Sequence, residues 1–266
     1  MAKVPVAEDA KTKSYYKYYE MDIANLTPEQ MEFVANSKGT PEEGLSIHDR
    51  NKLLEPGLYP EKMGYFPLKE GGVLVAGNVP MPNVTAEMLY WWFAWHGLDP
   101  LRYAIWDPED HFGTELNEEG KRRALDASVP MEEKTWGATH TVLESLGGPP
   151  AKIRIEFTEP AKLGFDASKI GTADCEFMVA ANSVTLGVDL PCVMVETAKK
   201  IDGVMTYQAR FWFGYVIENG EAKCVLPPDV QLPEELFLGL VGHNIKEFTH
   251  LGKILPSVYA EEKDRW

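Results

Sequence analysis

Positive charge is scarce in this chain: 26 lysines and arginines stand against 41 acidic residues, a formal charge of -15 at pH 7. Such a surface repels a phosphate backbone or an anionic membrane over most of its area, so nucleic-acid binding is set aside. Cysteine is scarcer still. Cys175, Cys192 and Cys224 are odd in number and follow no CxxC or other ligand spacing, which argues against a disulfide framework or a cysteine-built zinc site and suits a reducing cytosol. Long hydrophobic runs are missing too. The most apolar stretch, MLYWWFAWHGL, is too short and too polar to span a bilayer, and the opening MAKVPVAEDAKTKSYYKYYEMD has no continuous apolar segment of the signal-peptide kind. There is no internal repeat, no low-complexity tract and no phosphate loop, since GLVGHN lacks both the strand-to-helix setting and the Lys-Ser/Thr of that motif. These absences leave a soluble, cytoplasmic globular protein, for which a hydrophobic fraction of 44% is ordinary.

Two parts are expected. Residues 1–69 alternate polar segments with turn signals such as SKGTPEEG and LEPGLYP, around one helix opening at Thr27-Pro28-Glu29, and read as a small helical or irregular appendage. From residue 70 to 266 a larger domain follows. It opens with a strand in GGVLVAGNVP, then a helix capped by Thr85 through AEMLYWWFAWHGL, then LRYAIW as a short strand candidate. Beyond a charged loop, THTVLES, KIRIEF, CEFMVAANSVTL, CVMVETA and the long VMTYQARFWFGYVI read as an antiparallel meander with IDG and ENG as turns. The last element runs from Pro233 to about Leu255, with Pro256 as its stop. A long helix after a curved sheet buries a face by lying across the concave side, with a cavity between them.

In that helix Leu236, Leu240, Leu251 and Ile254 recur at helical spacing, and His243 and Glu247, in GHNIKEFTH, fall on the same stripe. Two buried ionisable groups need compensation from each other, from water or from a cation. Spacing alone leaves a plain hydrogen-bonded pair and a functional pair both open, because His111 with Glu115 and His140 with Glu144 show the same HxxxE interval. Glu247 with His250 makes an ExxH, but a carboxylate-bridged two-metal site needs a second ExxH, which is missing. The histidines are six. His48 sits in a polar segment and reads as surface, His96 ends an aromatic helix and packs or caps, and His111 follows a turn that can aim it into a cavity mouth. His140, Val142 and Glu144 point to one face of a strand.

Taken in order, YWWFAWHGLDPLRYAIWDPEDH, RFWFGYVI and the GHNIKEF helix resemble the 2,4-diacetylphloroglucinol hydrolases and the related phloretin hydrolases over residues 90–247. The resemblance implies an α+β fold of the Bet v 1 helix-grip type and a homodimer formed through the N-terminal region. It implies a metal-dependent hydrolase that cuts the aryl–acyl carbon–carbon bond of an acylated polyphenol. It also implies one zinc held by His111, His243, Glu247 and a second glutamate, placed at Glu144 with Glu156 as the fallback. By the same resemblance Tyr103 and Tyr207 bind phenolic oxygens and serve catalysis with His111, Thr114 stands where an asparagine is expected, and a sheet histidine has no counterpart. Trp95 is a candidate substrate contact, Trp91, Trp92 and Trp212 are candidate wall residues, and Arg210, on the strand face of Trp212, can pair with an acid instead. The competing reading is a non-catalytic helix-grip carrier, which needs neither a metal nor His243 and Glu247.

Overall fold

The structure is a computed structural model that describes residues 2–227 and 230–266. The chain begins with two short helices, α1 (Tyr16–Glu20) and α2 (Pro28–Ala35). α2 starts where expected, with Thr27 and Gln30 forming a reciprocal cap and Pro28 in the first turn. Next come β1 (Gly64–Pro67), β2 (Val73–Pro80), α3 (Ala86–Trp95), α4 (Pro100–Ala104), β3 (His111–Leu116) and α5 (Glu118–Leu125). Strands β4 (Thr139–Glu144), β5 (Ala151–Phe157), β6 (Phe177–Thr185), β7 (Leu190–Ile201), β8 (Val204–Phe213), β9 (Tyr215–Glu218) and β10 (Glu221–Cys224) follow, and α6 (Glu234–Glu262) closes the chain.

Eight strands form one sheet in the order β1-β2-β8-β7-β6-β5-β4-β3, every neighbouring pair antiparallel. The 29-residue α6 lies against it, which is the α+β helix-grip arrangement expected from the sequence. The helix is not centred. Its first half packs Phe237, Leu240 and Val241 against Tyr65, Val75 and Phe213 of β1, β2 and β8, while Phe248, Leu251 and Val258 join the aromatic residues of α3. The concave faces of β4 to β7 are left partly uncovered, and the cavity lies there.

The convex face is covered as well. Leu45, Ile47, Leu53 and Leu54 pack on Leu74, Val193, Val195 and Trp212. Both faces of β2 are therefore buried, which is why VLVAG reads as a continuous apolar run instead of alternating. β1, placed before residue 70 in the expected appendage, pairs with β2 as the sheet's first strand.

Three expected elements differ. LRYAIW is a helix start, not a strand: Asp99 caps α4 by accepting from the Leu101 N–H, with Pro100 in the first turn. The long strand VMTYQARFWFGYVI breaks at Gly214, whose φ of +90° places it in the left-handed region, so β9 leaves the main sheet and pairs with β10. Pro256 does not stop the last helix, which runs on to Glu262. A proline inside a helix costs about 3 kcal/mol. Leu255 and Val258 are both fully buried here, and roughly 1.5–3 kcal/mol for each offsets that cost.

Candidate metal centre and cavity

The site is built from three elements. Asp107 makes a tight turn by accepting the N–H groups of Glu109 (3.0 Å) and Asp110 (3.2 Å), and this turn delivers His111 to the start of β3. Glu144 is directly opposite His111 on β4, at a register shift that re-aims the strand end. Across the cavity α6 presents His243 and Glu247 one turn apart, both buried.

The four side chains converge. His111 Nε2 lies 3.5 Å from Glu247 Oε2 and 3.8 Å from Glu144 Oε2, and His243 Nε2 lies 3.6 Å from Glu247 Oε1. These distances bear on the two readings of the pair. A hydrogen bond would bring the atoms to about 2.7–3.2 Å. Donors bound to one tetrahedral ion at about 2.0–2.2 Å sit about 3.3–3.6 Å apart. His111 Nε2 is also fully buried with no hydrogen-bond partner among the described residues. An orphaned imidazole nitrogen facing two carboxylates at ligand spacing fits a cation, so the residues pass the test for a metal.

Neighbouring groups prepare the ligands. The His111 ring stacks on Tyr103 at 4.1 Å and 3°, and its Nδ1–H is donated to the Tyr103 carbonyl at 3.2 Å, which leaves Nε2 as the lone pair. Burial, with the nearby His243, holds His111 well below its ordinary pKa and therefore neutral. Burial would also lower His243, but Glu247, Asp110, Glu144 and Asp107 outweigh it and raise the ring to about 9. Burial lifts Glu247 well above the usual carboxylate range. The Tyr103 hydroxyl donates to Glu144 Oε2, and burial with that carboxylate keeps the phenol protonated. Behind His243, whose Nδ1 faces Asp110 at 3.9 Å and Asp107 at 4.0 Å, the Lys246 ammonium reaches both acids at 2.6 and 3.2 Å. Lys246 already compensates that second acidic group.

The cluster opens onto a cavity of about 330 Å³, whose wall includes Phe93, Tyr103, Trp106, Ile153, Ile155 and Phe211. That volume suits a small aromatic ligand. Of the expected contacts, Tyr103 lines it. Tyr207 does not: its ring packs 4.4 Å from Phe248 and its hydroxyl donates to Glu196 at 2.5 Å. Thr114 is buried on β3 opposite Val142, with its hydroxyl unpartnered among the described residues and outside the cavity wall.

Trp95 lies off the cavity wall: its indole donates to the Arg265 carbonyl, stacks on Trp91 and carries the Arg102 guanidinium on its face. Helical phase is the reason, since Trp91 and Trp95 share one face of α3 while Phe93 and His96 take the cavity face. Trp91 and Trp92 are core residues, and Trp212 lies on the convex side. Arg210 shares that side, but it donates to Asn78 and to the carbonyls of Tyr59 and Gly77, with no acid as partner among the described residues. The fallback ligand Glu156 is exposed and paired with Arg154 at 3.0 Å on the outer face of β5. Sequence reasoning assigns no cavity role to His96, His140 or Glu196, all of which line the wall. Glu196 had a signal, a lone acid in the apolar run CVMVETA.

Fold and cluster together define a helix-grip protein with a centre of metal-binding type. The family model described as the DAPG hydrolase PhiG domain matches residues 45–260, so the chain belongs to the DAPG hydrolase family. It is 41% identical over 269 residues to the phloretin hydrolase of Eubacterium ramulus, covering 98% of this chain and 95% of that protein. It is 28% identical over 274 residues to the 2,4-diacetylphloroglucinol hydrolase of Pseudomonas protegens, covering 94% of this chain and 85% of the relative. The crystal structure of Ara h 8.0201 overlays with a TM-score of 0.41 at 11% identity, covering 69% of this chain and 97% of that one.

Proposed function

We propose that the chain is a zinc-dependent hydrolase cleaving the aryl–acyl carbon–carbon bond of an acylated phloroglucinol. The substrate is of the phloretin or mono- and diacetylphloroglucinol type, and the products are the free polyphenol and a carboxylic acid. The observation that carries the reading is the spacing of His111, Glu144, His243 and Glu247, too wide for hydrogen bonds and close to that of ligands of one ion, at the wall of an apolar cavity. The names of the 41% and 28% identical relatives supply the substrate class. A carrier would have no use for two histidines and two glutamates buried together, because unpaired ionisable groups cost it several kcal/mol.

A zinc ion held by these four residues would supply Lewis acidity, acidifying water and polarising the acyl oxygen. The chain does the rest. The apolar walls at Ile153, Ile155 and Phe211 accept a flat ring. Tyr103, kept protonated, holds Glu144 and presents a phenol beside the place where charge develops on the substrate oxygens. Cleavage leaves the ring carbon in need of a proton, and none of the four ligands is free to give it.

The test is product analysis on phloretin, monoacetylphloroglucinol and diacetylphloroglucinol, with and without chelator. Phloroglucinol or its monoacetyl form, together with the matching acid, is expected from at least one substrate, lost with chelator and restored by zinc. No product from any of them with zinc-loaded protein rejects the reading.

A further inference from the structure

Among the described residues, Glu196 is the carboxyl group of the cavity wall that stands on a central strand of the sheet and is not one of the four clustered side chains. The inward face of β7 carries Cys192, Met194 and Glu196 in alternation, and all three line the cavity. Across the strands Glu196 is flanked by Val179 and Ala209, small apolar residues that leave its end uncovered. One of its oxygens accepts the Tyr207 hydroxyl at 2.5 Å; the other has no hydrogen-bond donor among the described residues. No lysine, arginine or histidine forms an ion pair with it among the described residues, and it is 2% exposed. A structural carboxylate in such a place is normally neutralised by a cation. This one is positioned by a phenol and left open toward the ligand space.

Resting on the hydrolase reading above, we propose that Glu196 is a catalytic residue, the group whose carboxyl proton goes to the ring carbon bearing the acyl substituent, with Tyr207 as its positioning residue. In the step, the Glu196 O–H bond breaks and a C–H bond forms at that carbon of the substrate phenolate, giving a ring ketone and the Glu196 carboxylate. Water then adds its hydroxyl to the acyl carbon and its remaining proton returns to Glu196. The aryl–acyl bond breaks with its electron pair restoring the aromatic phenolate, and a carboxylic acid is released. Atoms and charge balance with water as the only co-reactant. The groups facing Glu196 favour the protonated form: burial lifts its pKa, the Tyr207 hydrogen bond draws it part of the way back, and Glu144 across the cavity adds to the rise, to about 8. A group with a pKa near the working pH is suited to giving and regaining a proton.

The experiment compares wild type, Glu196→Gln and Glu196→Asp for hydrolysis, for zinc content, and for exchange of the ring hydrogens of phloroglucinol in deuterated water, followed by NMR above the buffer background. The exchange reports proton transfer to ring carbon without any acyl group being cut. Glu196→Gln retains an oxygen for the Tyr207 hydroxyl, so packing is kept. It is expected to lower kcat by roughly a hundredfold or more and to abolish enzymic exchange, with zinc content and KM little changed; Glu196→Asp recovers part of both. If Glu196→Gln hydrolyses within about threefold of wild type, or exchanges ring hydrogens as fast, the proposal is overturned while the hydrolase reading stands. If wild type hydrolyses no acylphloroglucinol, both fall together. Should neither glutamate variant fold, Tyr207→Phe decides: a fall in kcat at constant KM supports the proposal, and an unchanged kcat overturns it.

Discussion

A methyl group added at Gly239 separates two opposing effects at the cavity mouth. Gly239 lies in the first turns of α6, against the loop whose Leu146, Gly147 and Gly148 line the cavity. The added carbon would sit 2.1 Å from the Leu146 carbonyl oxygen and 3.1 Å from the carbon behind it. That is far inside the roughly 3.5 Å at which nonbonded carbon contacts are favourable. The neighbour is backbone, so loop or helix must shift by about an ångström or more. Overpacking of this kind costs about 1–3 kcal/mol, while replacing a helical glycine by alanine gains about 1 kcal/mol. The net effect of Gly239→Ala is then a destabilisation of about 0–2 kcal/mol, a fall in Tm of up to roughly 8 °C for a chain of this size. Because the displaced loop is cavity wall, KM for the aromatic substrate rises with it. Calorimetry and steady-state kinetics on the same preparation read both. A Tm increase of about 2–4 °C, the propensity gain acting alone, would refute the close approach of helix and loop.

Tyr103→Phe keeps the ring stacked on His111 but deletes the hydroxyl that Glu144 accepts. Loss of a hydrogen bond to a charged group, about 1.5–3 kcal/mol, should slow turnover by roughly ten- to hundredfold with zinc retained on dialysis, and an unchanged rate would return Tyr103 to packing. Acid stability should also depend on His96, whose Nδ1–H is donated to the Trp92 carbonyl and whose pKa burial lowers to about 4. Its unfolded value is about 6.5, so the unfolded chain takes up a proton that the folded one refuses. The stability is complete above that value and is lost as pH falls toward 4. Between pH 7.5 and 5 the loss is about 2 kcal/mol. Denaturant titrations of His96→Gln at both pH values should show that much less acid sensitivity than wild type, and equal sensitivity would reject the buried neutral ring.

Much of this is legible in the sequence because order along the chain and side-chain periodicity both point to it. The long helix, the meander and the pairing of His243 with Glu247 follow from apolar spacing, and His111 follows from its place after WDPED. The choice of Glu144 over Glu156 stays open at that level because strand phase across a loop of unknown length cannot be counted. The register of His111 opposite Glu144, with Glu156 turned outward, settles their geometry. Trp95 is hard to place from sequence because a helix that is apolar on every side has no polar stripe to say which face meets the cavity. LRYAIW misleads because Asp99 and Pro100, which read as the end of one helix, cap and open the next. Pro256 reads as a stop because the tertiary packing that carries the helix past it is invisible in the local sequence.

The account rests on four side chains holding one ion. Elemental analysis of wild type, His243→Ala and Glu247→Gln after identical dialysis tests that most directly. About one zinc per chain is expected in wild type, falling well below that in both variants together with hydrolysis. Full zinc content in both variants, or an active wild type free of any metal, would contradict it.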